Sequence, residues 1–369
     1  MLQHILALMM KELRAILRDK RSRIVLIGPP IAQLIVFGYA ASFDLNNVPY
    51  AVYDASGGAA SRALLARFEG SPSFEFHGRL QNERELAHAI DHKDVLLVLR
   101  LGADFERRLQ RGEPADLQVI IDGRNSNTAL IALNYVRSML IDFNRDWAIQ
   151  HGRAPPPAHL EVRPWFNENL VSRWFIVPGI VALLTLVVTL IVTALSVARE
   201  REAGTFDQLL VTPLRPVEIL VGKALPGFII GTIEASFIIF MAVWWFEVPL
   251  RGGLLPLYLG LWLFLLSGIG LGLMISALSV TQQQGLLGAF LFLVPAVILS
   301  GFATPIENMP HLVQYLTYLN PMRYFLIVVR GVFLEGADVA ILLPQYWPMA
   351  VIGLVTLALA GWLFRHRMY

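Results

Sequence analysis

Hydrophobic and polar positions fall into two regimes along this chain. Residues 24–43 form one uncharged run, residues 44–172 mix charge with short apolar clusters, and from 173 onward long apolar runs return between short polar turns. At 1.5 Å of rise per residue, a helix over Ile24–Phe43 is long enough to cross a hydrocarbon core of ~30 Å. Five more runs have the same character: Trp174–Ala198, Ala224–Phe246, Leu254–Leu278, the shorter Gly285–Gly301, and Gln345–Phe364. The predicted fold class is a mainly α membrane protein with six transmembrane helices and a large α/β extracytoplasmic domain inserted between helices 1 and 2. The first run has a rival reading as a cleaved signal peptide, because Gly38-Tyr39-Ala40 loosely fits a cleavage site. A signal h-region spans only about 7–15 residues. This run is longer and carries Pro29-Pro30, which favours an uncleaved span.

Ahead of it, residues 1–23 read as an amphipathic interfacial helix. Leu2, Ile5, Leu6, Met9, Leu13, Ile16 and Leu17 recur at helical spacing, with Lys11, Arg14 and Arg18 elsewhere on the wheel. Such a helix lies flat in the membrane interface, packs on a partner protein, or does both. Residues 44–172 alternate strand and helix signals. Strands are expected at Val48–Tyr53, Ser73–His77, Val95–Leu99 and Leu117–Ile121. Helices are expected at Ser61–Phe68, Glu83–Asp91, Ala103–Gln110 and Asn125–Gln150, the last with Leu130, Leu133, Val136, Leu140 and Phe143 on one stripe. That alternation predicts a small mixed sheet, ended by Pro155-Pro156-Pro157.

Charge sets the orientation. Lys11, Arg14, Arg18, Lys20, Arg21 and Arg23, against only Glu12 and Asp19, place the N-terminus in the cytoplasm. Alternating spans then put domain 44–172 outside, and put on the inside both the loop 199–223, with Arg199, Arg201, Arg215 and Lys223, and the C-terminal Arg365-His366-Arg367. The chain is 56% hydrophobic and only 16% charged, where a soluble domain has roughly 25%. With no cysteine it can build neither a disulfide nor a thiolate metal site.

Nucleotide chemistry of its own is excluded by a short count. Of the four lysines, Lys11, Lys20, Lys93 and Lys223, only Lys223 follows a glycine, and Val217 and Ala224 break the phosphate-loop spacing around it. H-E-x-x-H and G-x-S-x-G are absent as well. The most distinctive segment is Arg199-Glu200-Arg201-Glu202-Ala203-Gly204-Thr205-Phe206-Asp207-Gln208-Leu209-Leu210-Val211-Thr212-Pro213-Leu214-Arg215-Pro216. Gly204 permits a sharp turn, Thr205 and Gln208 have capping-box spacing for a short helix, and Pro213 ends it. The bland alternative is a solvated turn joining two spans.

This segment resembles the signature of ABC-2-type transporter permeases, and more narrowly the bacterial multidrug-efflux branch. Ser172-Arg173-Trp174-Phe175-Ile176-Val177-Pro178-Gly179, Gly222-Lys223-x-x-Pro226, Ser300-Gly301-Phe302-x-x-Pro305-Ile306-Glu307-Asn308-Met309-Pro310 and Leu319-Asn320-Pro321-x-Arg323-Tyr324-Phe325 extend the resemblance over essentially the whole chain. It implies a multi-pass subunit of the bacterial inner membrane, with both termini cytoplasmic. Two such subunits, identical or paralogous, would pair with a cytoplasmic ABC ATPase dimer that holds the ATP and magnesium, so this chain needs no cofactor. The coupling residues would be Glu200, Arg201, Glu202, Gly204, Thr205, Asp207, Gln208, Leu209 and Leu210. Residues 302–320 would form re-entrant helices between helices 5 and 6. A periplasmic membrane-fusion protein and outer-membrane channel are further partners the branch admits; nucleic acid is not expected.

Within the spans, Thr185, Thr189 and Thr193 share one face of the second, and Glu234 sits mid-way along the third. They are candidates for lining a translocation pathway. A threonine also bonds its own helix backbone, and a buried carboxyl also serves to pack two helices. Trp147, Trp165 and Phe166 fit a partner surface, a membrane interface or a core. The predicted function is export of drugs or other amphipathic compounds. The alternatives are an ABC-2 exporter of a lipid or glycan-type substrate, and an ion-coupled secondary transporter, which would need paired intramembrane charges and internal repeats. A receptor would need a cytoplasmic signalling domain that the segments do not leave room for.

Overall fold

A computed structural model of the chain describes residues 2–18, 20–40, 45–153, 164–169, 171–205 and 214–367. The molecule divides into two compact units, a helical one (1–42 with 164–369) and an inserted one (43–163). The insertion therefore ends nearer 163 than the expected 172. Trp165, highly exposed, and Phe166 belong to the helical unit.

The chain begins with α1 (Leu2–Arg18) and α2 (Lys20–Ala40). The buried face of α1 is Ile5, Leu8, Glu12 and Ile16, while Leu2, Leu6 and Leu17 stay exposed. The stripe expected from the sequence is thus split, and half of it looks outward.

The inserted unit runs β1 (Val48–Asp54), α3 (Ala59–Glu69), β2 (Phe74–Arg79), α4 (Glu83–Asp91), β3 (Leu97–Leu101), α5 (Phe105–Arg111), β4 (Leu117–Ile121) and α6 (Ser126–Gln150). The sheet order is β2-β1-β3-β4, parallel except for the β3–β4 pair. Alternation along the strands divides the core. Tyr50, Val52, Leu97 and Leu99 pack with Leu64, Phe68, Val136 and Phe143 of α3 and α6; Ala51 and Val98 pack with Leu86 and Ala89 of α4. Asn82 caps α4 by accepting from Glu85 N at 2.9 Å, and Glu85 answers by accepting from Gln81 N. On α6 the buried stripe is Ala129, Ala132, Val136 and Phe143, with Leu130 exposed, which corrects the stripe drawn through Leu130. Trp147 packs onto this core.

The helical unit resumes with α7 (Ser172–Glu202), α8 (Pro216–Trp244), α9 (Leu254–Leu278), α10 (Gln282–Ile298), α11 (His311–Thr317), α12 (Pro321–Arg330) and α13 (Val339–Arg367). A 3₁₀ turn (Ile306–Asn308) precedes α11, and a π-helical turn (Gly331–Glu335) follows α12. Among the described residues four helices, α7, α8, α9 and α13, are long and apolar enough to cross a membrane, and α10 is a shorter apolar helix. Both α7 and α8 extend well past their apolar runs, so Glu200–Glu202 and Lys223 lie in helices rather than in the expected loop 199–223. Residues 302–320 contain the 3₁₀ turn and α11. The sequence reading missed α12: Asn320 caps it from Met322 N at 3.1 Å, Pro321 occupies its first turn, and Phe325 stacks on Phe264 of α9 with ring centroids 4.4 Å apart.

Candidate functional site

The distinctive motif begins in the last turn of α7. Glu200, almost fully buried, receives Lys223 Nζ of α8 on Oε2 at 2.7 Å and Lys11 Nζ of α1 on Oε1 at 2.5 Å. Lys223, with no exposed side-chain surface, also meets Glu12 Oε1 of α1 at 3.0 Å and lies 3.5 Å from Ser196 Oγ. Two ammonium and two carboxylate groups therefore neutralise one another; Lys223, Glu12 and Glu200 are buried, where an unpaired charge would cost several kcal/mol, while Lys11 reaches in from an exposed position. Leu8 against Gly222 and Ile219, and Ile16 against Ile230 and Val188, lay α1 along α8 in the same direction and bring Glu12 to Lys223.

The next two residues reach other helix ends. Arg201 Nη1 donates to the carbonyls of Ala277 (2.9 Å) and Ser279 (3.1 Å), acceptors left over at the end of α9. Glu202 Oε2 accepts from Gln282 N at 2.7 Å, a donor left over at the start of α10, where a negative charge also suits the helix dipole. Gly204, at φ +67°, then closes α7: its N–H bonds Arg201 O, and Thr205 N bonds Glu200 O. That crossed pair is the left-handed helix stop glycine allows. Thr205 thus closes α7, its hydroxyl donating to the same Glu200 carbonyl at 3.3 Å. The short helix it was expected to cap, with Asp207, Gln208, Leu209 and Leu210, lies outside the described residues.

Above the ion pairs opens a cavity of ≈ 840 Å³. Val188, Ile191, Val192 and Leu195 of α7 form its floor; Leu286, Phe290 and Leu293 of α10 form one wall, and Pro29, Pro30 and Gln33 of α2 another. Glu12, Lys223, Ser196 and Arg199 gather at one end. An apolar cleft of this size with a few convergent polar groups has the form of a site for a drug-sized molecule.

The expected pathway residues lie elsewhere. Thr185, Thr189 and Thr193 are fully buried on a different face of α7. A Cβ at Gly231 of α8 would come within 2.6 Å of Thr189 Oγ1, and Gly272 of α9 leaves no room for one beside Thr193. The stripe is a close helix–helix seam of small residues, and Thr193 Oγ1 donates to Thr189 O at 2.7 Å within its own helix. The threonines therefore stand in this seam and not on the cavity wall. Glu234 is absent from the cavity wall too: its carboxyl oxygens are buried in α8 without a hydrogen-bond partner among the described residues. The sequence reading missed Lys11, Glu12, Lys223 and Arg199 as a set, since residues far apart in sequence carry no local signal of their pairing.

The model of a family described as "ABC-2 family transporter protein" matches residues 20–362. The chain is 39% identical over 367 residues to the "Probable multidrug ABC transporter permease YbhR" of Escherichia coli (strain K12), covering 100% of each. It is 32% identical over 336 residues to the "Probable multidrug ABC transporter permease YbhS" of the same strain, covering 89% of this chain and 88% of the relative. It is also similar to the "Linearmycin resistance permease protein LnrN" of Bacillus subtilis (strain 168), 21% identical over 363 residues, 92% of this chain and 93% of that one.

Proposed function

The chain belongs to the ABC-2 family of transporter proteins, and we propose that it is the membrane subunit of an ATP-driven exporter of amphipathic, drug-like compounds. Two copies, or this chain and a paralogue, enclose the translocation path. The cavity over α7 is one half of it. A separate ATPase dimer holds the nucleotide and grips the cytoplasmic turn after α7. In this reading α2 and α10 join the four long apolar helices as spans one and five, giving six. The inserted α/β unit is periplasmic, and the 3₁₀ turn with α11 sits near the outer mouth.

The observation that carries the reading is the joining of α7 to four other helices by three consecutive residues. Glu200 ties it to α1 and α8, Arg201 to the end of α9, and Glu202 to the start of α10. A push on the turn after Gly204 thereby reaches every element around the charged end of the cavity. Substrate choice follows from the cavity's apolar floor and wall, and agrees with relatives named as multidrug permeases.

The test is reconstitution with the cognate ATPase and measurement of ATP hydrolysis across a panel of amphipathic compounds. Compounds that fit should stimulate hydrolysis, and Ile191→Trp, which fills the floor, should abolish the stimulation. Absence of stimulation by every compound, with vectorial uptake also absent from proteoliposomes, would refute the assignment.

A further inference from the structure

The charged end of the cavity is not evenly balanced. Glu12 is held by Lys223 at 3.0 Å, and Glu200 is shared between Lys223 at 2.7 Å and Lys11 at 2.5 Å. Glu202 is exposed, with an oxygen already accepting from Gln282 N. Arg199, one turn before the end of α7, is half-buried on the cavity wall and, among the described residues, makes no ion pair. A guanidinium is planar, permanently charged and shaped for a carboxylate, sulfonate or phosphate, and it gains most from such a partner where water is partly excluded. Beside it the cavity is apolar along Ile191, Leu195, Leu286 and Phe290.

We propose that Arg199 is the anion-recognising group of the cavity, and that the cavity takes amphipathic molecules with an apolar body and a single carboxylate, sulfonate or phosphate. The head group pairs with Arg199 and the body lies on the α7 floor and the α10 wall. Cationic amphiphiles are disfavoured because their charge meets Arg199 with no spare carboxylate to receive it. The inference rests on the reading of this cavity as part of a transport path, and names which compounds it prefers. The same head-group chemistry belongs to an exported compound and to an anionic membrane lipid.

The experiment uses the full chain in phosphatidylcholine nanodiscs and two dyes with the same aromatic body. Anilinonaphthalene sulfonate carries the anion and phenylnaphthylamine does not. Arg199→Gln should weaken binding of the sulfonate by about tenfold, the worth of a charged hydrogen bond, and change binding of the neutral dye by less than about twofold. Arg199→Lys should keep most of the sulfonate's affinity, and retained neutral-dye binding reports an intact cavity in each variant. Equal affinity of wild type and Arg199→Gln for the sulfonate, or an equal loss for both dyes, overturns the anion assignment while leaving the transport reading intact. Leu286→Trp should expel both dyes; if it expels neither, the cavity is not the binding place, and both readings fall. Replacing part of the phosphatidylcholine with phosphatidylglycerol distinguishes the sources. Competition against the sulfonate in wild type but not in Arg199→Gln supports the proposal with lipid as occupant, and no competition supports it with a non-lipid compound as occupant.

Discussion

Lys223 Nζ stands 2.7 Å from Glu200 Oε2, and the lysine side chain has no surface exposed to solvent. A buried ammonium persists only where carboxylates compensate it, and here Glu12 supplies the second. Lys223→Met would strand Glu12 and leave Glu200 with Lys11 alone. Removing one member of a buried pair costs about 3–5 kcal/mol. The variant should therefore unfold at a clearly lower temperature in detergent, and adding Glu12→Gln should restore much of the loss. An unchanged melting temperature for the single variant would mean that the cluster is not buried in the membrane-embedded protein.

The threonine seam makes the opposite kind of forecast. Thr185 Oγ1 is buried with no hydrogen-bond partner among the described residues, so exchanging its hydroxyl for a methyl removes an unsatisfied polar atom at constant shape. Thr185→Val should leave stability unchanged or slightly raised, and should leave compound-stimulated ATP hydrolysis of the complex as it is. Gly272→Ala should cost about 1–3 kcal/mol because Thr193 must move, and Thr193→Ser, which removes the methyl but not the hydroxyl, should not rescue it as well as Thr193→Ala. A loss of transport in Thr185→Val without loss of stability would place this face in the pathway.

Much of this organisation is legible in the sequence, and what is not has a common cause. The run Leu254–Leu278 fixes α9 at both ends because Gly253 and Ser279 bound an uninterrupted apolar stretch. Glu83–Asp91 and Leu117–Ile121 are likewise readable from local pattern alone. The ends of α7 and α8 are not, because polarity at Glu200 and Lys223 signals a loop until their partners are known. Those partners, Lys11 and Glu12, sit on α1 in what reads as the solvated side of an amphipathic helix. The place of the threonines is hidden for the same reason. Helical spacing shows that they share a face, but only the glycines of α8 and α9 show that the face is closed.

Asp54, at the end of β1, gives the inserted unit a defined response to acid. Burial alone would raise its carboxyl, but hydrogen bonds from the Ser61 and Ser56 hydroxyls and the Gly57 and Ser56 N–H groups outweigh this and hold it below the ordinary carboxylate range. The unfolded chain lacks those bonds. The stabilisation is therefore complete above the ordinary carboxylate pKa of about 3.9 and is lost as pH falls through the lower folded value. Hydrogen exchange on the full chain should show protection of β1 and β3 amides falling more steeply with acid in wild type than in Asp54→Asn, which should start lower at neutral pH. Parallel curves for the two proteins would show that Asp54 does not carry this stabilisation.

Orientation can be read directly because the chain contains no cysteine, so every single-cysteine variant reports one place. Thr205 follows the left-handed Gly204 at the end of α7, and the flanking residues Ala203 and Gly204 are exposed; the transport reading needs this turn in the cytosol. Ser71, in the turn between α3 and β2 of the inserted unit, lies on the other side of the membrane in the same reading. A membrane-impermeant maleimide added to intact spheroplasts should modify Ser71→Cys and spare Thr205→Cys, and inverted vesicles should reverse the pattern. If Thr205→Cys is modified in sealed spheroplasts, the turn after α7 is out of reach of a cytoplasmic ATPase. The links from Glu200, Arg201 and Glu202 would then have to be read as structural staples alone.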